Sequence, residues 1–109
     1  MASSQLTKTF SGNGSATTHT ISMWVKRSAI DTIQRLFFTG SGSNQYQLYF
    51  LHSAGTYDNL LQFEFYDGST NYYLRTNRQF KDTSAWYHIV AVWDTTNATS
   101  GDRMRLYIN

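Results

Sequence analysis

SAWYHIVAVWD, residues Ser84–Asp94, is the longest apolar, β-prone run in the chain, and turn-forming residues bracket it: Lys81-Asp82-Thr83 before, Thr95-Thr96-Asn97 after. Tyr87, Ile89, Ala91 and Trp93 fall on one parity; Trp86, His88, Val90 and Val92 fall on the other. Successive strand side chains point to opposite faces, so both faces of this segment carry apolar or aromatic groups. A half-exposed hairpin strand shows one polar face, so this pattern predicts a central strand covered largely on both sides. No helical apolar stripe runs through it, and β-branched and aromatic residues dominate. Trp86 and Trp93 lie on opposite parities and cannot both enter one core. One of them is expected on the outer face of its sheet, under a loop or against a neighbouring chain.

The remaining sequence supplies partners for that strand. Leu6–Phe10, Thr18–Arg27, Ile33–Thr39, Tyr46–His52, Leu60–Tyr66, Asn71–Thr76 and Arg103–Asn109 all read as strands, separated by Gly-, Ser- and Asn-rich turns. Asp67-Gly68 is the strongest hairpin signal and predicts a turn with positive φ at both central positions. Eight closely spaced strands without a helix-length amphipathic segment predict an all-β antiparallel sandwich occupying residues 1–109 as one domain.

Composition agrees. Aromatic residues make up 17% of the 109 positions and charged ones 15%, and Glu64 is the sole glutamate, so helix-surface residues are scarce. A net charge of +2 with scattered basic residues argues against nucleic acid as a partner; Arg75, Arg78 and Lys81, the densest basic group, read as a solvated turn. With no cysteine there is no disulfide framework or zinc–thiolate site. No apolar run approaches the roughly 20 residues of a membrane span, so no membrane insertion is expected. The opening Met-Ala-Ser-Ser-Gln lacks a basic and an apolar region, so no signal peptide is expected. The chain stops inside its last strand, which predicts unpaired sheet edges and association with other chains, as an oligomer or larger assembly.

Three stretches in order, THTISMWVKRS (18–28), SAWYHIVAVWDTT (84–96) and DRMRLYIN (102–109), resemble the laminin G-like branch of the concanavalin A-like lectin/glucanase superfamily. The resemblance implies a jelly-roll sandwich of two antiparallel sheets, with this chain covering the N-terminal part of the usual domain. The wording SMWVKRS (22–28) and SAWYHIVAVWDTTNATSGDRMRLYIN (84–109) is similar to domains of marine bacteriophage structural and tail proteins. That similarity implies a virion or extracellular assembly and other virion proteins as partners.

Candidate chemistry follows. Sugars stack their C–H faces on aromatic rings while their hydroxyls meet directional polar groups. Tyr57, Asp58 and Asn59, with Tyr66, Asp67, Asn71 and Tyr72 beside Tyr73, supply both kinds of group in loops near one hairpin. A glycan or surface receptor is the expected ligand, although Tyr is also an ordinary strand residue. The resemblance makes calcium the one cofactor candidate. Asp94, Asn97 and Asp102 crowd one loop, yet Asx residues are also common turn formers. No catalytic residue is expected: a glycoside hydrolase needs two carboxylates flanking one bond. Glu64 has Gln62 and Tyr66 at alternate positions, and neither is an acid. His88 reads as a core or inter-strand hydrogen-bonding residue, a catalytic base or metal ligand being the sharper alternative. A binding module is therefore expected, with a purely structural capsid or tail decoration subunit and a glucanase fragment as alternatives.

Overall fold

The computed structural model describes residues 6–9, 11–12, 14–53 and 55–109. Its strands are β1 (Thr18–Lys26), β2 (Gln34–Ser41), β3 (Asn44–Phe50), β4 (Leu60–Tyr66), β5 (Asn71–Gln79), β6 (Trp86–Asp94) and β7 (Met104–Ile108). They form two antiparallel sheets, β1-β6-β7 and β2-β3-β4-β5, packed face to face. The strand expected at Leu6–Phe10 is not formed over residues 6–9, and Phe10 lies outside the described residues. Seven strands therefore carry the described fold rather than eight.

Alternation places the core. β6 is the central strand of its sheet, with Ala91 opposite Ile21 on one side and Leu106 on the other. Its Tyr87, Ile89 and Ala91 are buried against Tyr46, Leu48 and Phe50 of β3 and Leu61 and Phe63 of β4. Ile21, Met23 and Val25 of β1 and Met104, Leu106 and Ile108 of β7 flank them on the same face. The outer face of β6 departs from expectation. His88, Val90 and Val92 are only half-buried and Trp86 is 60% exposed, because no further layer covers that side among the described residues. Trp93 points inward and Trp86 outward, as their opposite parities require.

The Asp67-Gly68 hairpin forms with a different turn. Tyr66 pairs with Asn71, leaving a four-residue loop in which only Gly68 has positive φ (95°). The Asp67 carboxylate accepts the Ser69 and Thr70 N–H groups at 2.9 and 2.8 Å, an Asx turn that replaces the two-residue form. A Cβ on Gly68 would sit 2.7 Å from the Ser43 carbonyl oxygen, so this hairpin packs against the β2–β3 turn.

One polar cluster has a buried centre, Arg27 and Asn59. Arg27, at the end of β1 and 2% exposed, donates through Nη1 to Asn59 Oδ1 at 2.8 Å and to the Phe80 carbonyl at 2.6 Å. Its Nε donates to Gln34 Oε1 at 2.8 Å, and its guanidinium lies 4.4 Å from the Phe50 ring centre. Asn59, at φ 63°, also accepts the Asp31 N–H and donates to Asp31 Oδ1. This cluster ties the β1–β2 connection to the start of β4.

The turns set the pH range. Hydrogen bonds from Ser53 and Gly55 N–H to Asp58, from Thr70 and Ser69 N–H to Asp67, from the Ser84 hydroxyl and N–H to Asp82, and from the Thr96 hydroxyl and N–H to Asp94 hold all four carboxyls below their ordinary range. Their folded values lie below the unfolded ones, so this stabilisation is present above about pH 4 and is lost as pH falls further. Burial raises the Tyr46 and Tyr49 phenols, with the Glu64 hydrogen bond also raising Tyr49. Their stabilisation is complete below about pH 10 and is lost above it. Burial lowers the His19 pKa, so its protonation begins to cost stability below about pH 6.5, and urea midpoints should be flat only from there to about pH 10, with Asp67→Asn softening the acid edge and Tyr46→Phe the alkaline one. A midpoint that rises on acidification would contradict this account.

Candidate functional site

The inner faces of β4 and β6 end in large rings. Phe65 and Trp93 face one another with centroids 5.3 Å apart, and Tyr46 meets Trp93 edge-on at 5.6 Å. These rings do not fill the gap between the sheets at this end, and two clefts open there with Phe65 and Trp93 in the walls of both.

The larger cleft, about 650 Å3, runs between the β4–β5 hairpin and the segment after β6. Phe65, Tyr72, Trp93 and Met104 form its apolar surface, and Asp67, Thr95, Ser100 and Arg103 bring polar groups to it. Tyr72 is 48% exposed and stacks on Phe65 at 6.2 Å, so a flat aromatic face is presented to solvent. The smaller cleft, about 430 Å3, is lined by His19, Phe37 and Tyr46 among others. There the His19 Nε2 and Tyr46 hydroxyl lie 2.6 Å apart and bridge the two sheets; burial lowers the His19 pKa.

The residues expected at a sugar site are divided by the structure. Tyr72 and Asp67 line the larger cleft, Asp67 having its carboxylate engaged in the turn. Asn71 is exposed beside them, and Tyr66 donates its hydroxyl to the Gly68 carbonyl at 2.9 Å. Tyr57 and Asp58 belong to the loop before β4 and do not line the larger cleft. Asp58 accepts Ser53 and Gly55 N–H bonds and pairs with His52 at 3.1 Å. Asn59 has no exposed surface and binds Arg27 and Asp31, so its amide is removed from any ligand site.

The three residues considered for calcium make turns in this structure. Asp94 Oδ1 accepts the Thr96 N–H and hydroxyl, and Asn97 Oδ1 accepts the Thr99 N–H. Asp102 closes a 3₁₀ turn, Ser100–Asp102. Among the described residues no three His, Asp or Glu side chains gather as a metal site. These three side chains do not by themselves provide the six to eight oxygens that calcium takes.

His88 makes the inter-strand contact: Nε2 lies 3.1 Å from Ser22 Oγ, and its ring stacks on Trp24 at 4.9 Å. His19, His52 and His88 lie in three separate clusters.

Sequence reasoning missed a second polar surface, on the outer face of the four-stranded sheet. Glu64, 8% exposed, accepts bonds from Gln47 Nε2 at 3.1 Å, Tyr49 hydroxyl at 2.8 Å and Gln62 Nε2. Arg35 Nε donates to Gln47 Oε1 at 3.2 Å and Arg75 Nε to Gln62 Oε1 at 2.7 Å. Each glutamine thus faces an arginine with its carbonyl and the carboxylate with its amide. Alternation around Glu64 was the available signal, because Gln47, Tyr49, Gln62 and Arg75 all share its face through the strand register. Arg75 stands within β5, as the expected strand Asn71–Thr76 has it, and β5 runs on to Gln79, so Arg75 and Arg78 are strand residues and not a solvated turn.

A laminin G-type family model, described as the concanavalin A-like lectin/glucanases superfamily, matches residues 3–109. No curated protein and no solved structure matches the chain.

Proposed function

The chain belongs to the concanavalin A-like lectin/glucanase superfamily, and from that premise we propose that it is a non-catalytic module that takes a glycan, free or on a surface receptor, into its larger cleft. Domains of this family are often carbohydrate- or receptor-binding modules. The observation that carries the reading is the meeting of Tyr72, Phe65 and Trp93 with Thr95, Ser100 and Arg103 around one opening of about 650 Å3. That volume lies within the range of small-molecule sites, and rings beside convergent polar groups suit a sugar's two kinds of surface.

Among the described residues no second acid stands in the cluster around Glu64, which supports binding over hydrolysis. Glu64 is the one glutamate, it is enclosed by Gln47, Tyr49 and Gln62, and its alternate-position neighbours are Gln62 and Tyr66. Release of reducing sugar from β-glucans would overturn this part of the reading. In this proposal the module works in a virion or another extracellular assembly alongside other copies or other virion proteins.

A glycan array probed with the protein, in calcium and again in chelator, tests the reading. A selected glycan should bind the parent, and Tyr72→Ala should weaken it about threefold to tenfold, the worth of one aromatic stacking contact. Silence across the array, or undiminished binding by Tyr72→Ala, counts against the cleft. A purely structural role is favoured by a different observation: Trp24, Trp86 and Tyr107 stand exposed together on the outer face of the β1-β6-β7 sheet. Self-association by light scattering that Trp86→Ser abolishes, with a silent array, would favour that second reading.

A further inference from the structure

We infer that a second site, on the opposite side of the four-stranded sheet from the larger cleft, recognises the carboxylate of an acidic sugar through Arg75. The Arg75 guanidinium is held before any ligand arrives. Its Nε donates to Gln62 Oε1 at 2.7 Å, and its carbon lies 4.1 Å from the Tyr57 ring centre and 4.8 Å from that of Tyr73. Gln62 is itself fixed by Glu64 and by the Tyr49 hydroxyl, so the anchor beneath Arg75 is buried and rigid. Both terminal amino groups of Arg75 remain without a hydrogen-bond acceptor among the described residues, and no carboxylate there forms an ion pair with it.

The surrounding space has the matching chemistry. A cavity of about 390 Å3 opens beside the guanidinium, walled by Thr56, Tyr57, Thr76, Asn77 and Gln79. The Thr56 hydroxyl and the Asn77 amide suit sugar hydroxyls, Thr76 and the Gln79 amide N–H being engaged with the Arg78 and Asp58 carbonyls, and the Tyr57 ring lines the same opening. Charge points the same way. The network holds two arginines, Arg35 and Arg75, against the single carboxylate of Glu64, which meets them only through the two glutamines. One positive charge is therefore left over within this network. A planar guanidinium with free terminal N–H groups is the partner that bidentate carboxylate recognition requires, and stacking on rings keeps its plane fixed. A neutral sugar would leave that charge unanswered, and a flexible acidic peptide would not use the ring and hydroxyl walls.

The site opens on the other face of the sheet and shares only Tyr73 with the lining of the inter-sheet cleft. Isothermal titration of the full chain with an oligogalacturonate, its methyl ester and an oligoglutamate peptide tests the assignment. The acid form should bind and the ester should not. Arg75→Lys, which keeps the charge and loses the planar fork, should weaken binding about tenfold, the size expected for one charge-assisted bidentate contact. Asn77→Ala, an exposed wall residue whose loss spares the fold, should weaken it as well, with an unchanged melting temperature. Tyr72→Ala, in the other cleft, should leave it intact. Equal binding of acid and ester, parental affinity in Arg75→Lys, no heat with the acid, or peptide binding as tight as the sugar's would each overturn the inference.

Discussion

Arg27→Ala should lose about 3–5 kcal/mol of stability, the combined cost of leaving buried acceptors unpaired and opening a void. The guanidinium supplies the donors for three acceptors at once: Asn59 Oδ1, the Phe80 carbonyl and Gln34 Oε1. Alanine leaves the Phe80 carbonyl without its side-chain donor in a place water does not reach and opens a void beside Phe50, over which the guanidinium lies. The damage spreads through Asn59, whose positive φ is held by the same contacts and whose backbone pairs with Leu51 and Phe80. Chemical denaturation followed by circular dichroism reads the effect as a large fall in midpoint with little change in slope. Arg27→Lys restores a charge but not the three-way fork and should recover only part of the loss. A midpoint within experimental scatter of the parent's would show that Asn59 and Phe80 find other partners.

Glu64→Ala should be the next most damaging change, at about 2–4 kcal/mol, because buried donors lose a charged acceptor. Gln47 Nε2 and the Tyr49 hydroxyl both point at the carboxylate, and Gln62 Nε2 retains only Tyr49. Glu64→Gln keeps one acceptor but sets an N–H group among donors, so it should fall between parent and alanine. A second readout separates this network from generic core loss. The hydrogen bond to Glu64 adds to burial in raising the Tyr49 phenol, so in Glu64→Ala one tyrosine should ionise at lower pH in an ultraviolet titration. An unchanged tyrosine titration would remove Glu64 from the account of Tyr49.

These two clusters also mark where sequence reading stops. Parity alone grouped Tyr87, Ile89, Ala91 and Trp93 on one face and set Trp86 on the other, because a two-residue period is a property of the strand itself; which face met the core came only from the packing of the second sheet. The Leu60–Tyr66 strand was legible to the residue, being bounded by Asn59 and the Asp67-Gly68 turn. Arg27 was not legible. It ends an alternating strand in the sequence, and only the return of Asn59 and Phe80 to the same place encloses it. The face around Glu64 is assembled from β2, β3, β4 and β5, so its members are scattered from Arg35 to Arg75; alternation within β4 groups Gln62 with Glu64, and only the strand register adds the rest. The larger cleft was half legible. Tyr72 and Asp67 were picked from their hairpin, whereas Trp93 and Arg103 reach them only through packing of the second sheet. Asn59 was misjudged because an Asn beside a loop tyrosine reads as surface, and its side chain instead turns inward to Arg27.

The distribution of the three tryptophans has an optical consequence. Trp24 and Trp86 are 61% and 60% exposed, whereas Trp93 is half-buried among Tyr46, Phe65 and His19. Emission from the first two belongs at long wavelength and is open to acrylamide; emission from Trp93 belongs at shorter wavelength and is shielded. The chain therefore carries two spectrally separate reporters on opposite sides of one sheet. An occupant of the inter-sheet cleft perturbs the blue component alone, and a chain docking on the outer face perturbs the red one alone.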